Sequence, residues 1–213
     1  MAEEPTELPI FELPLAALPS EQVPLHIFEE RYKLMIADCL EHGTSFGIVL
    51  RTDAGVRPVG CAAEISRVLE RFDDGRLNLI VTGGYRFRIL DRFEGPHYPM
   101  AVVERFPDPE PAPAGELEAA RASFKELLEA VGSDADPPPD GASAFEIAAR
   151  VELEVEAKQL LLEAATERER LTLLRKTLTE LAGQVERSRK LAERARGNGH
   201  APIQGMTPPE TPG

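Results

Sequence analysis

Four histidines, at positions 26, 42, 97 and 200, and two cysteines, Cys39 and Cys61, are the residues whose chemistry could centre a reaction. The histidines are scattered, with no H-x-x-x-H pair and no carboxylates at ligand spacing, so they do not read as a metal site. His26 sits in Val23-Pro24-Leu25-His26-Ile27-Phe28, at an expected strand-to-helix junction. An imidazole there serves either as a general base or as a partner for the backbone. The cysteines lack C-x-x-C spacing and fall in apolar patterns, which reads as two buried thiols. No Gly-Lys dipeptide occurs, and the lysines (33, 125, 158, 176 and 190) all lie in expected helices. That excludes a phosphate-cradling G-x-x-x-x-G-K-[ST] loop. The G-x-S-x-G elbow of serine hydrolases is also missing. Most carboxylates stand three or four residues from an arginine, as on a solvated helix face. Arg86 and Arg88, on the polar side of the alternating run 85–90, could hold a carboxylate or phosphate, or simply face solvent. No catalytic residue, cofactor or metal is expected.

The elements that position these residues begin with two proline-broken apolar segments, 8–15 and 23–27. Proline removes a ladder donor and pushes its neighbour to extended geometry, so both read as edge strands. From Phe28 the apolar period lengthens to that of a helix: Phe28, Tyr32, Met35, Ile36, Cys39 and Leu40 form one stripe, and Gly43 is placed to end it. Strands are expected over 45–51, over 56–72 with Arg67 and Arg71 turned outward, after the Asp73-Asp74-Gly75 turn, over 85–90 and over 98–104. Gly83-Gly84 is expected to break the chain between two of them. Six or seven strands around one helix suggest a closed or nearly closed mixed barrel. Beyond a proline-rich stretch at 107–114 the composition shifts to Ala, Glu, Leu and Arg. Helices are expected over 116–131 and 143–165, and a third after a Thr166–Glu169 capping box. In that last helix Leu171, Leu174, Leu178, Leu181 and Val185 make a short a/d seam, fit either for packing within a bundle or for pairing two chains.

The 213 residues suffice for one large or two small domains with an ample core. A net charge of −13 argues against phosphate-backbone binding. No apolar run approaches a membrane span, and the first residues lack the pattern of a secretory signal, so a cytoplasmic protein is expected.

Three groups of residues resemble one known family. The run from Leu8 through Pro24, Leu25, His26, Ile27, Phe28, Glu29, Arg31 and Tyr32 to Phe46-Gly47 is similar to the opening of the Lon N-terminal (substrate-binding) domain. Gly84 to Ile89 fits that family's G-x-R-F-R-I order. Lys158-Gln159-Leu160-Leu161-Leu162-Glu163, followed by Arg168-Glu169-Arg170-Leu171, resembles its K-Q-x-L-L-E…R-L pattern. The resemblance covers about residues 8–186 and does not continue into the ATPase and serine–lysine peptidase parts of a full Lon protease. It implies an α+β fold: a PUA-like mixed β-barrel with one long helix at 8–106, then a linker at 107–114 and a C-terminal α-helical lobe at 115–196. Residues 1–7 and 197–213 are expected to be disordered.

The resemblance further implies non-catalytic recognition of unfolded polypeptides or partner proteins, in quality control or as a proteolysis-related adaptor. A Lon-type protease could then be a partner. The candidate peptide contacts are His26, Tyr32, Arg86 and Phe87, with apolar capture in the groove between barrel and helical lobe. PUA-like barrels elsewhere bind RNA, but the negative charge and the lack of interleaved basic and aromatic residues argue for no nucleic acid and no membrane. Two alternatives stay open: a homodimerisation module through the Leu171–Val185 seam, and a hydrolase with an unrecognised site near His26 or His97.

Overall fold

A computed structural model describes residues 4–107 and 114–197, so the greater part of the expected linker and the tail beyond Gly197 lie outside the described residues. Its strands are β1 (Thr6–Leu13), β2 (Gln22–Ile27), β3 (Phe46–Thr52), β4 (Gly55–Val56), β5 (Val59–Arg71), β6 (Leu77–Glu94) and β7 (Pro99–Arg105). The helices are α1 (Glu30–His42), α2 (Ala114–Val131), α3 (Ala144–Ala148), α4 (Val155–Glu163) and α5 (Glu167–Gly197). β1 lies antiparallel to β7 and parallel to β3, β7 pairs with β6, β6 with β5, and β5 with β3. The sheet therefore closes on itself through one parallel contact. β2 and β4 are appendages to that ring, which is why it is not a plain barrel.

Each strand of the ring sends side chains to one buried cluster: Leu8 and Ile10, Val49, Ala62, Phe87, Ala101 and Val103. Phe87 fills this interior. It lies over Gly47 and Gly60, where a Cβ would come within 2.6 and 2.8 Å of the ring. The larger cluster sits on the other side of the sheet and runs from Phe11, Phe46 and the α1 residues Tyr32, Met35, Ile36 and Cys39 into the helical residues Phe124, Phe145 and Leu171. One apolar core thus joins barrel and helices, as burial of both outer faces requires.

Local chemistry sets several boundaries. Gly43 ends α1 with φ 64° and donates to Cys39 O, a left-handed cap that costs glycine little. Gly75, at φ 81°, turns β5 into β6. The Thr166 hydroxyl accepts from Glu169 N–H at 3.2 Å, while the Glu169 carboxylate accepts from Ala165 N–H at 2.9 Å, so α5 begins where the capping pattern places it. Tyr98 donates to Asp38 at 2.8 Å, tying the start of β7 to α1. Burial first, then the hydrogen bond and charge of Asp38, push this phenol up to about 12.

Four expectations are corrected, and one that the sequence left open is decided. β1 begins at Thr6, which with Glu7 pairs along β7, so the ordered chain starts before residue 8. Phe28 precedes α1 and is exposed rather than part of its buried stripe. Gly83-Gly84 does not break the strand, and β6 runs through it for 18 residues. Gly83 is needed because the turn before β2 crosses it: Ser20 N–H donates to Gly83 O, Gly83 N–H donates to Glu21 O, and a Cβ would run into the Leu18 carbonyl. The helix expected over 143–165 is two, α3 and α4. A Ser143–Glu146 capping box starts the first, and an intervening connection buries Leu153. The α5 seam is used inside the chain: Leu171, Leu174 and Leu178 are fully buried in the core beside the α2 residues Phe124 and Leu127. Arg168 pairs with Glu116 at 3.2 Å and Arg189 reaches Ala130 O at 3.0 Å, so start meets start and end meets end, and α2 and α5 run parallel.

Candidate functional site

β2 alternates cleanly, with Val23, Leu25 and Ile27 buried and Gln22, Pro24 and His26 exposed. It pairs with β6 along one edge, and among the described residues no strand pairs with the other. The register sets His26 opposite Asn78 and Asn78 opposite Glu70, so three strands present one polar row. Asn78 Nδ2 donates to Glu70 Oε2 at 3.0 Å, which leaves Asn78 Oδ1 to accept from His26 Nδ1 at 2.7 Å. An amide between imidazole and carboxylate fixes the ring but relays no proton. The partner of His26 is thus a side chain, not the backbone. Rings gather around it: Phe28 stacks at 5.9 Å and Phe72 meets its edge at 6.2 Å. Beside them a cavity of about 540 Å³ is lined by Pro24, Leu25, His26, Leu69, Glu70, Asn78 and Leu79. None of these carries a hydroxyl or thiol. Phe28 is 60% and Leu69 54% exposed, large apolar side chains left in water beside an open cavity. Such a surface suits apolar and aromatic contact.

The other three sequence candidates lie elsewhere. Tyr32 is 2% exposed and packs on Phe11 at 4.1 Å, within the α1–barrel core. Phe87 is the filling of the ring. Arg86 was expected to face solvent and is only 4% exposed. Its Nη1 donates to Leu162 O at 2.8 Å and Ala164 O at 2.5 Å, and its guanidinium lies 4.1 Å from the centre of the Phe106 ring. A cation at the carbonyl end of α4 is favoured by the helix dipole. The alternation of β6 was read correctly, since Arg86 does point away from the barrel interior. What lies outside the barrel at that point is α4, not water. None of the three lines the first cavity, so only His26 is brought to the exposed surface. Arg88, on the same strand, is exposed and stands 3.6 Å from Glu104.

The Lys158–Glu163 motif is the docking strap of α4. Lys158 pairs with Glu21, and Gln159 Nε2 donates to Val59 O at 3.0 Å. Arg57 grips Glu163 bidentately, at 2.9 and 2.6 Å. Burial tends to raise the Glu163 carboxyl, but hydrogen bonds from Arg57 and Gln159 and the charge of Arg57 prevail and hold it below its usual 4.5. Two further cavities flank this junction. The second, about 360 Å³, lies between Glu21, Pro24, Arg150, Glu152 and Lys158. The third, about 310 Å³, is lined by Phe124, Leu127, Leu128, Val131, Arg150 and Glu152, among others. His97 is exposed between β6 and β7 and lines none of the three.

Leu69, Phe72 and the Glu70–Asn78 pair escaped the sequence reading. Counting outward from the Asp73–Gly75 turn would have set Glu70 near Asn78. The bulge between Val68 and Glu70 decides which side Leu69 takes, and it leaves no mark in composition.

Two solved structures share this fold. A Lon N-terminal domain protein from Xanthomonas campestris is 26% identical, with a TM-score of 0.62, over 79% of this chain and 96% of that one. The N-terminal domain of a Mycobacterium avium complex Lon protease is 21% identical, with a TM-score of 0.65, over 82% of this chain and 98% of that one, and shows likeness of fold. The family model for the ATP-dependent protease La (LON) substrate-binding domain matches residues 7–180, which take in the closed sheet, α1, the α4 strap and the buried part of α5. On that match the chain belongs to the LON substrate-binding domain family.

Proposed function

We propose that this protein recognises unfolded polypeptides or partner proteins without catalysis, as a quality-control or proteolysis-related adaptor in the cytoplasm. A Lon-type protease is a fitting recipient for what it binds. The observation that carries this reading is the open cavity over the outer face of β2, β6 and β5, lined by His26 and Leu69, with Phe28 and Phe72 packed on the His26 ring. Apolar side chains of an unfolded chain would enter it, where a folded protein keeps the same side chains buried. Pro24 lacks the donor that a continuous ladder would need, so side-chain burial, rather than strand addition, supplies most of the affinity.

The test is binding of a labelled, permanently unfolded protein and of its folded form, followed by anisotropy. The unfolded form alone should bind saturably, and binding should persist at high salt. Phe28→Ala with Leu69→Ala should weaken it at least about tenfold, because covering the exposed part of each side chain is worth roughly 1–2 kcal/mol. Both side chains are largely in water, so the fold should keep its stability. Equal binding of folded and unfolded forms, or a double variant that binds as well as the parent, would refute the reading.

A further inference from the structure

The three cavities form one track. Pro24 lines both the first and the second, and Arg150, Val151 and Glu152 line both the second and the third. β2 runs along the first two, with Gln22, Val23 and Pro24 at one and Pro24, Leu25 and His26 at the other. The ends of the track are apolar, at Leu69 and at Phe124, Leu127 and Val131. The charges along it are unbalanced. Lys158 is taken up by Glu21. The remaining carboxylates among the lining residues are Glu70, Glu152 and Asp136, against one further cation, Arg150, which lines the second and third cavities. All four residues are exposed, and the whole chain carries the same sign, at −13.

We propose that this track takes an extended polypeptide segment in which apolar residues are interspersed with lysine or arginine. This rests on the recognition reading and names its substrate class. Apolar side chains of such a segment fill the two ends, while its cations reach Glu70, Glu152 and Asp136. An acidic segment of equal apolarity sets like charges against those carboxylates. Because the groups are exposed, selectivity is strongest at low salt and fades as ions screen it. The capture itself does not depend on salt, since it rests on apolar burial.

The experiment uses the full chain and three labelled peptides with identical apolar residues and Lys, Gln or Glu at the intervening positions. At low salt the Lys peptide should bind about tenfold more tightly than the Glu peptide, the sum of several exposed pairs, and the difference should shrink in high salt. The Glu70→Lys, Asp136→Lys, Glu152→Lys triple variant should reverse the order. The milder Asp136→Asn, Glu152→Gln variant should narrow the difference without a reversal. Equal binding of the three peptides, or an unchanged order in the triple variant with native circular dichroism, would overturn the proposal and leave recognition standing. If the unfolded protein binds and none of the peptides does, the track is wrong but capture is not. If neither binds, both fall.

Discussion

Arg86→Ala tests whether this side chain joins the two parts of the molecule or meets a ligand. In the parent, one guanidinium nitrogen serves two main-chain carbonyls, Leu162 O and Ala164 O, and the plane lies against Phe106. A hydrogen bond from a charged donor contributes roughly 1.5–3 kcal/mol, and a desolvated cation over a ring adds about 2 kcal/mol. Water entering the vacated space recovers part of this, so the net loss should be about 3–5 kcal/mol, as for removal of one partner from a buried polar cluster. That is a large share of the roughly 5–15 kcal/mol a domain possesses. Arg86→Lys should lose about 2 kcal/mol, since an ammonium reaches the carbonyls but neither stacks nor forks. Urea unfolding followed by far-ultraviolet circular dichroism gives both numbers, the chain having no tryptophan. Binding of unfolded protein by the folded fraction should be unchanged, because Arg86 does not line the His26 cavity. A stability loss under about 1 kcal/mol, together with lost binding, would refute the assignment and return Arg86 to the ligand surface.

Acid should loosen the strap. Glu163 is held below its usual 4.5 in the folded chain, so its contribution is complete above the unfolded value and disappears as pH falls through the folded one. Stability should therefore start to decline as pH falls towards 4.5 and keep declining through the lower folded value, and Glu163→Gln should lower stability at neutral pH while flattening that slope; an unchanged slope would refute the assignment. The two thiols should be inert in the native state, because burial raises Cys39 and pushes Cys61 up to about 12. A disulfide-exchange reagent near pH 8 should therefore titrate neither until denaturant is added, and fast reaction of either would contradict the burial. Leu178→Asp should unfold the helical part rather than separate two chains, a buried unpaired carboxylate costing at least about 3 kcal/mol. Sedimentation and circular dichroism distinguish the outcomes, and a folded variant of halved mass would restore the seam as a dimer contact.

The elements legible in the sequence are those whose chemistry is local. Gly43 ends α1, Gly75 turns the hairpin and Thr166 with Glu169 starts α5, because each depends on partners within about four residues. The leucines of α5 declared a buried stripe for the same reason, since their period is intrinsic to the helix. Periodicity also separated Phe87 from Arg86 as facing opposite sides of one strand. The ordered prolines, aromatics and glycines of the three motifs carried the family resemblance.

Tertiary structure alone decided what each face meets. Whether Arg86 looks into water or under α4 depends on a helix 76 residues further on. Whether the leucine stripe pairs with α2 or with another chain depends on the long-range docking of α2. The parallel β1–β3 contact that closes the sheet, and the crossing of Leu18 over Gly83, join segments with no local signal between them. The candidate surface is of the same kind. His26, Glu70 and Asn78 become neighbours through strand register, and Phe28 is exposed because α1 begins two residues after it. Local sequence fixes conformation through short-range hydrogen bonds and steric limits. Exposure is a property of the finished packing, and a recognition surface is defined by exposure.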